Sequence, residues 1–304
     1  MDSRPIGIFD SGVGGVSVLK EIRRLLPKEE IVYLGDIART PYGTKSASLI
    51  KRYSEEAFNF LVKKDVKLVV VACNTASSVA IPLLSARFPD VIDVIEPAVR
   101  KAVLTTKSKK VGVIGTKRTV AIPLLSARFP DVIDVIEPAV RKAVLTTKSK
   151  KVGVIGTKRT IESGVYQKRL FQSDSEIKVF ALSCPLFVPL VEEGWLCHPI
   201  TREVAKEYLS PLKGKIDTLI LGCTHYPFIS EVIKKVMGEV EIVTSSEATA
   251  EVCRQYLKEK DMLSLEGGRI LFYTTDEPDC FIEIASSFLQ IDIDKVERVE
   301  IEKK

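Results

Sequence analysis

Short apolar runs rich in valine, isoleucine and leucine recur along the chain, and they constrain its fold more than any other feature. Helix-like segments separate them, for instance residues 17–27, where Leu19, Ile22 and Leu26 share one face. Continuous apolar runs are typical of parallel strands that helices cover on both sides. The alternation therefore predicts an α/β fold with right-handed crossovers. Nine predicted strands suit two modest sheets better than one: PIGIFD, EIVYLGD, KLVVVAC, VIDVIEP, KVGVIGT, IKVFALS, DTLILGC, EIVTSS and RILFYTT.

One segment of the chain occurs twice without a single change. Residues 79–119 are repeated as residues 120–160, and removing one 41-residue copy from the 304 residues leaves 263. Repeats of a solenoid diverge because each has its own neighbours, so we interpret this pair as a tandem duplication and not as a repeat architecture. Copy one, copy two or a hybrid of both can fill the native place.

The additional copy has three possible fates. It can loop out, since loop-closure entropy costs only about 0.6 kcal/mol per doubling of length. It can pair with a sheet edge or with another chain, or it can insert as an extra β–α unit and push two lobes apart. Because every motif outside the repeat is intact, we expect one of the first two outcomes, with both lobes preserved.

Composition and charge exclude several classes of protein. The chain is 45% apolar and 28% charged, which is typical of a globular protein. No apolar run of about 18 residues could cross a membrane, and the first residues, MDSRPIGIFDSG, lack the pattern of a signal peptide. We therefore expect a cytoplasmic protein without a membrane partner. The net charge of +5 is spread among acidic residues, which argues against a nucleic-acid partner.

The cysteines indicate neither disulfides nor a metal site. They are Cys73, Cys184, Cys197, Cys223, Cys253 and Cys280. None is spaced C-x-x-C, so we expect reduced thiols and no thioredoxin-like motif or zinc ribbon. With two histidines and no close cysteine pair, no metal site is predicted. No motif indicates a Schiff-base lysine with a phosphate site, so no pyridoxal cofactor is predicted either.

Two of these cysteines end apolar runs of the same kind. Cys73 follows VVVA and precedes Asn-Thr, while Cys223 follows LILG and precedes Thr-His. A single free cysteine is usually an inert core residue, but polar neighbours at the carboxyl end of a parallel strand indicate a ligand site. Two thiols that face one point can remove a proton from a carbon acid and deliver one to its opposite face. The pattern predicts inversion of a stereocentre.

Five motifs give the chain a family resemblance. FDSGVGG, YLGDIARTPYG, ACNTAS, CPLFVPLVEEG and GCTHYP resemble, in this order, the motifs of bacterial glutamate racemases, which make D-glutamate for peptidoglycan without a cofactor. ACNTAS together with GCTHYP is typical of the glutamate/aspartate racemase superfamily, and DSGVGG and PYG favour the glutamate branch. The resemblance covers the chain apart from the extra copy. It implies two flavodoxin-like lobes with the active site in the cleft between them.

The resemblance also implies roles for individual residues. Cys73 would be the base for D-glutamate and Cys223 the base for L-glutamate. Asp10 would assist the first thiol, and Glu192 and His225 would assist the second. The implied substrate ligands are Asp10, Ser11, Tyr42, Gly43, Asn74, Thr75, Thr224 and His225. Neither a cofactor nor a metal is implied.

Further expectations concern the repeat and the lobes. The motif GTKRT occurs with Thr116 and again with Thr157, and the resemblance implies that such a threonine lines the site. Either threonine can take this place, and we favour Thr157 because copy two leads into the natural continuation. His198 is expected to be structural or exposed. A homodimer is one expectation for the assembly. The predicted boundaries are residues 1–98 with about 246–304 for the first lobe, about 140–245 for the second, and 79–160 for the duplicated segment.

Three other functions are compatible with the sequence. The nearest is aspartate racemase, which differs in the length of its pocket, and turnover of the two substrates distinguishes them. The second is a folded protein whose catalysis the duplication has impaired and which only binds a partner, since some members of the family bind DNA gyrase. The third is a thiol-redox role, which the absence of a C-x-x-C motif weakens.

Overall fold

The computed structural model describes residues 2–87 and 132–301. Its strands form two parallel sheets, which confirms the predicted α/β fold. The strands of these residues, β1 to β10, are Ile6–Asp10, Ile31–Gly35, Leu68–Val71, Val132–Asp134, Lys151–Gly156, Lys178–Ser183, Thr218–Gly222, Glu241–Thr244, Ile270–Thr274 and Val296–Arg298. Their α-helices, α1 to α11, are Val16–Leu25, Ala47–Lys63, Asn74–Arg87, Ile136–Thr146, Lys158–Glu162, Val165–Ser173, Phe187–Glu192, Pro199–Leu209, Ser230–Met237, Ser245–Glu259 and Asp279–Leu289.

The two sheets share the order of their first four strands. One sheet has the order β10-β9-β2-β1-β3-β4 and the other has the order β6-β5-β7-β8. In each, the first strand along the chain lies between the second and the third, with the fourth outside the third. This is the 2-1-3-4 order of flavodoxin-like folds. The two similar apolar runs that end in Cys73 and Cys223 therefore occupy the same position in two sheets of the same topology. The first sheet adds β9 and β10 beside β2.

The chain passes between the sheets twice. Helix α4 leads from β4 of the first sheet to β5 of the second, and helix α10 leads from β8 back to β9. The two crossing helices pack against each other, and α10 also packs along α1. Helix α10 therefore contacts elements of both lobes.

Apolar side chains on both faces bury the central strands. Strands β1, β2, β3 and β7 are buried along their whole length. Helix α1 buries Leu19 and Ile22, and Leu26 is buried just after its end, which confirms the predicted face. Among the described residues, no helix is long and apolar enough to cross a membrane.

The described elements take residues from both copies of the repeat. Helix α3 continues through residues 79–87 of copy one, whereas β4, α4 and β5 belong to copy two. The equivalent strands and helix of copy one lie outside the described residues. Between Arg87 and Val132 there are 44 residues, of which three would remain without one copy.

Two predicted strand details differ from the structure. The run VIDVIEP is predicted to be one strand, but β4 ends at Asp134 and α4 begins at Ile136. Pro138 is tolerated because the first turn of a helix does not use its missing N–H, and Glu137 interacts favourably with the N-terminal dipole. The other difference is β10, a strand of three residues that pairs with β9 and has no apolar run to predict it.

Candidate active site

Residues from both lobes line one small cavity. Cys73 lies two residues after β3 and Cys223 directly after β7, so each thiol follows the third strand of its lobe. Both cysteines are buried, with 4% of each exposed. The lining residues are Ser11, Pro41, Tyr42, Gly43, Cys73, Asn74, Thr75, Thr157, Val188, Cys223, Thr224 and His225. The carboxyl ends of both sheets thus meet at one place.

Most residues predicted for the site are in this wall. Asp10 and Glu192 are not; they lie behind it and contact it through Thr224 and His225. Sequence reasoning missed Pro41 and Val188, although both lie inside motifs that carry the resemblance, YLGDIARTPYG and CPLFVPLVEEG. Their position within those motifs is the signal that could have indicated them.

Cys73 has neutral hydrogen-bond partners. Its thiol donates to Ser11 Oγ at 3.5 Å, and the backbone N–H of Ala76, in the first turn of α3, donates to its sulfur at 3.5 Å. Burial, and then the charge of Asp10, raises the pKa of Cys73 to about 12. The thiol is therefore protonated at neutral pH.

Cys223 is next to an imidazole. Its sulfur lies 3.8 Å from His225 Nδ1, and His225 Nε2 lies 2.5 Å from Glu192 Oε1. Burial of the ring opposes its charge, but the hydrogen bonds and charges of Cys223 and Glu192 outweigh this and raise the pKa of His225 well above its ordinary value. A carboxylate, an imidazolium and a thiol in sequence can stabilise negative charge on the sulfur and move a proton to or from it.

Asp10 connects the first lobe to the loop that carries Cys223. It ends β1 and is fully buried. Its carboxylate accepts hydrogen bonds from Thr224 Oγ1 at 3.0 Å and from the backbone N–H of Gly12 at 2.9 Å. Burial raises the pKa of Asp10, and the charge of His225 partly offsets this rise.

Glycines allow the two lobes to approach closely. A Cβ at Gly14 would lie 2.5 Å from both His225 Nδ1 and Thr224 Oγ1. A Cβ at Gly43 would lie 2.7 Å from Thr157 Cβ. The glycine-rich DSGVGG turn and the PYG turn are therefore needed where the first lobe meets the second.

Three threonine hydroxyls cluster at the contact between the lobes. Thr157 Oγ1 lies 3.0 Å from Thr75 Oγ1 and 3.0 Å from Thr160 Oγ1. Thr157 belongs to copy two and lines the cavity, whereas Thr116 lies outside the described residues. Copy two therefore contributes a hydroxyl to the wall.

Asn74 is held by two buried partners that the sequence did not indicate. Tyr166 donates its hydroxyl to Asn74 Oδ1 at 2.5 Å, and Asn74 Nδ2 donates to Ser245 Oγ at 3.3 Å. These partners are 92 and 171 positions away along the chain. No local pattern marks either of them.

Tyr42 is fixed from behind by a buried ionic network. Its hydroxyl donates to Asp36, whose two carboxylate oxygens share the single N–H of Arg39 Nε, and Arg39 also pairs with Glu56. Burial, and then the charge of Asp36, raises the pKa of Tyr42 well above its ordinary value. Tyr42 is thus neutral, and the network holds the PYG turn against the cavity.

The second histidine lies outside the cavity. His198 is exposed, accepts from the backbone N–H of Ile200 at 3.2 Å, and stacks on Trp195 with ring centroids 4.4 Å apart. It is both structural and exposed, as predicted. Within residues 2–87 and 132–301, no group of three or more His, Cys, Asp or Glu residues could hold a metal ion.

Comparison with known proteins gives a consistent result. The model of the Asp/Glu/Hydantoin racemase family matches residues 130–253. The glutamate racemase of Geobacter metallireducens is 40% identical over 307 residues, which cover 99% of this chain and 98% of that protein. A crystal structure of a Bacillus anthracis glutamate racemase has a TM-score of 0.81 at 35% identity and covers 99% of this chain and 98% of that one. The Francisella tularensis glutamate racemase, solved in complex with D-glutamate, has a TM-score of 0.78 at 35% identity and covers 99% of each chain.

Proposed function

Since this chain belongs to the glutamate racemase family, we propose that it interconverts L- and D-glutamate by exchanging a proton between Cys73 and Cys223. Membership of the family makes it an amino-acid racemase. The observation that carries the proposed mechanism is the single cavity that both thiols line. Because the thiols come from different lobes, a substrate between them has one sulfur available to each face.

In the proposed reaction, one thiolate removes the proton from Cα of glutamate and the other thiol delivers a proton to the opposite face. The first sulfur becomes a thiol and the second becomes a thiolate, so the reaction consumes no protons. The reverse reaction exchanges their roles. The family resemblance favours Cys73 as the base for D-glutamate and Cys223 as the base for L-glutamate.

The two thiols need different assistance to act as bases. The pKa of Cys73 is about 12 in the protein alone, so substrate binding has to lower it. The ammonium group of glutamate can do this, since an opposite charge within about 4–6 Å favours the charged form of a side chain. Cys223 has a positive charge within the protein, on His225 at 3.8 Å, and Glu192 holds that ring.

The cavity wall offers groups that complement the charges of glutamate. Thr224 Oγ1 donates to Asp10, which leaves its lone pairs to accept from an ammonium group. Asn74 Nδ2 gives one hydrogen to Ser245 and keeps a second for a carboxylate. The first N–H groups of α3 also favour a carboxylate. The other proposed ligands are Ser11, Tyr42, Gly43, Thr75 and His225, with Asp10 acting through Thr224.

Proton NMR in D₂O, without added cofactor, tests this function. We expect the Cα-proton signal of both L- and D-glutamate to disappear. Cys73→Ala and Cys223→Ala are each expected to reduce interconversion by about 10³-fold or more. Cys197→Ala is the matched control, because Cys197 is an exposed free cysteine outside the cavity wall. A folded protein that exchanges neither enantiomer would contradict the proposal, and faster exchange of aspartate would reassign the substrate.

We also propose that the product serves peptidoglycan synthesis in the cytoplasm, as the resemblance implies. A bacterium without its own glutamate racemase provides the test. Wild-type protein is expected to restore growth without added D-glutamate, and the Cys73→Ala variant is not. The homodimer stays a prediction, which sedimentation of the purified protein would test.

The repeat and the lobe boundaries are a further part of the proposal: one equivalent of the repeat forms the family fold, and the other is additional. Residues 79–87 and 132–160 together amount to one copy less three residues, which supports this. The boundaries near residues 140 and 246 are supported by the sheets, because all four strands of the second sheet lie between 140 and 245. The predicted boundary at residue 98 lies outside the described residues. Strand β4 of the first sheet is the copy-two equivalent of residues 91–93.

A further inference from the structure

Two adjacent serines, Ser245 and Ser246, begin helix α10 where the chain leaves the second sheet. They are 0% and 2% exposed. A serine at the start of a helix usually caps it, but here Thr244 is the cap, since its hydroxyl accepts from the backbone N–H of Glu247 at 3.3 Å. Because a buried hydroxyl is costly without a hydrogen-bond partner, the contacts of these two serines need another explanation.

Ser245 holds the residue that follows Cys73. Its hydroxyl accepts from Asn74 Nδ2 at 3.3 Å, while Tyr166 donates to Asn74 Oδ1 at 2.5 Å. The amide of Asn74 is therefore fixed at both of its polar atoms. Since Asn74 is covalently joined to Cys73, these contacts fix the backbone that carries the first thiol.

Ser246 holds the residue that follows Cys223. Its hydroxyl donates to Ser17 Oγ at 3.0 Å, and Ser17 Oγ donates to the backbone carbonyl of Thr224 at 2.9 Å. Ser17 and Thr224 are both buried, so water does not compete for these bonds. The second thiol is thus connected to the same helical turn as the first.

We propose that Ser245 and Ser246 are a positioning pair that sets the distance and the mutual orientation of Cys73 and Cys223. Neighbouring residues of one helical turn move together, so the loops after the two thiols are both attached to one rigid element. Such an element is needed because the thiols lie on different lobes, and proton transfer requires each reacting pair of atoms to come within about 3–3.5 Å. Neither serine lines the cavity, so both act through other residues. This inference rests on the proposed two-thiol reaction.

The single variants Ser245→Ala and Ser246→Ala, and the double variant, test the pair. Each single variant is expected to lower kcat about tenfold with KM changed less than about twofold. Neither serine lines the cavity, and Tyr166 still holds the amide of Asn74 in Ser245→Ala, while the thiols lose their alignment. The reduction of kcat in the double variant is expected to be smaller than the product of the two single reductions, because both serines fix the same arrangement of the two thiols. With glutamate deuterated at Cα, the isotope effect on kcat is expected to rise, since proton transfer becomes slower relative to product release.

Ser54→Ala is the matched control. Ser54 is 0% exposed, and its hydroxyl donates to the carbonyl of Ile50 within α2 at 2.7 Å. It is expected to lower the melting temperature as Ser245→Ala does, but to leave kcat and the isotope effect unchanged.

Equal kcat values and isotope effects for the double variant and Ser54→Ala would overturn the positioning pair. If the double variant does not fold, Ser245→Ala alone decides by the same criterion. The proposed function has a separate readout, because it fails only when wild-type protein does not exchange the Cα proton of glutamate, and the positioning pair then fails with it.

Discussion

The loops after Cys73 and Cys223 occupy the same topological position in their lobes, yet they surround their thiols differently. Each follows the third strand of a 2-1-3-4 arrangement. Cys73 contacts a serine hydroxyl and a backbone N–H. Cys223 contacts an imidazole that a carboxylate holds from behind. A shared topology therefore provides two thiols without providing two equal chemical environments.

The difference determines where protons reside before substrate binds. The raised pKa of Cys73 keeps its proton on the sulfur, while the raised pKa of His225 places a positive charge beside Cys223. The two enantiomers have equal free energy in solution, so kcat/KM is the same in both directions whatever these environments are. The asymmetry therefore concerns how each thiolate is stabilised: by the substrate ammonium at Cys73 and by the protein at Cys223.

Among the groups that distinguish the two thiols, His225 is expected to have the largest effect on kcat when it is replaced. His225→Asn removes the positive charge beside Cys223 and should lower kcat about 100-fold. Ser11→Ala is the equivalent change beside Cys73; because it removes one neutral hydrogen bond, it should lower kcat by about tenfold or less. Steady-state kinetics of both variants provide the measurement. Equal losses would show that the two thiols depend on their neighbours to the same extent.

Replacement of Glu192 tests the charge beside Cys223 through the pH dependence of the unfolding free energy. Glu192→Gln removes the charge that holds His225 as an imidazolium, so the pKa of His225 in the folded protein should fall. A raised pKa in the folded state stabilises the protein fully below the unfolded value of about 6.5 and loses this contribution as pH rises through the folded value. The loss of unfolding free energy in the variant should therefore be about 2 kcal/mol near pH 6 and shrink at higher pH.

Chemical denaturation at several pH values measures this difference. Glu193→Gln is the matched control, because Glu193 is the exposed neighbour of Glu192. It is expected to change stability little at any pH. A destabilisation by Glu192→Gln that stays constant or grows with pH would contradict a charged His225. The expected loss of kcat in Glu192→Gln is about tenfold.

The positions of the two thiols could be predicted from the sequence, whereas the position of Glu192 could not be derived from its neighbours. An apolar run that passes directly into polar residues marks the carboxyl end of a parallel strand. Two such strands at the same position in two similar sheets place their ends at equivalent points of the two carboxyl edges. Glu192 and Glu193 look alike in the sequence, as a pair at a helix end. The resemblance alone distinguished Glu192, which contacts His225 in the structure.

Contacts between segments that are far apart along the chain could not be predicted from the sequence. Tyr166 and Ser245 hold Asn74 from 92 and 171 positions away, and such contacts depend on how the lobes pack. The end of β4 was missed for another reason. The run VIDVIEP has the composition of a strand, but its last residues, Glu137 and Pro138, also suit the first turn of a helix, and the tertiary structure selects the helix.

Deletion of residues 88–128 tests whether the arrangement of the two lobes depends on the additional residues that join them. Of the changes considered, it should have the smallest effect on turnover. The deletion joins Arg87 to Phe129 and leaves one copy of the repeat. All residues that line the cavity are retained, so kcat and KM are expected to stay within about twofold of wild type. Loss of activity would contradict the proposal that one equivalent of the repeat is sufficient.

The same deletion separates stability from activity. It shortens the connection between Arg87 and Val132 from 44 residues to three. Loop closure alone then favours the folded state of the deletion variant by about 2 kcal/mol, since each doubling of loop length costs about 0.6 kcal/mol. Chemical denaturation measures the change. A smaller gain in unfolding free energy, or a loss, would mean that the additional residues make stabilising contacts. The full gain of about 2 kcal/mol would mean that the two lobes and their thiols need only one equivalent of the repeat.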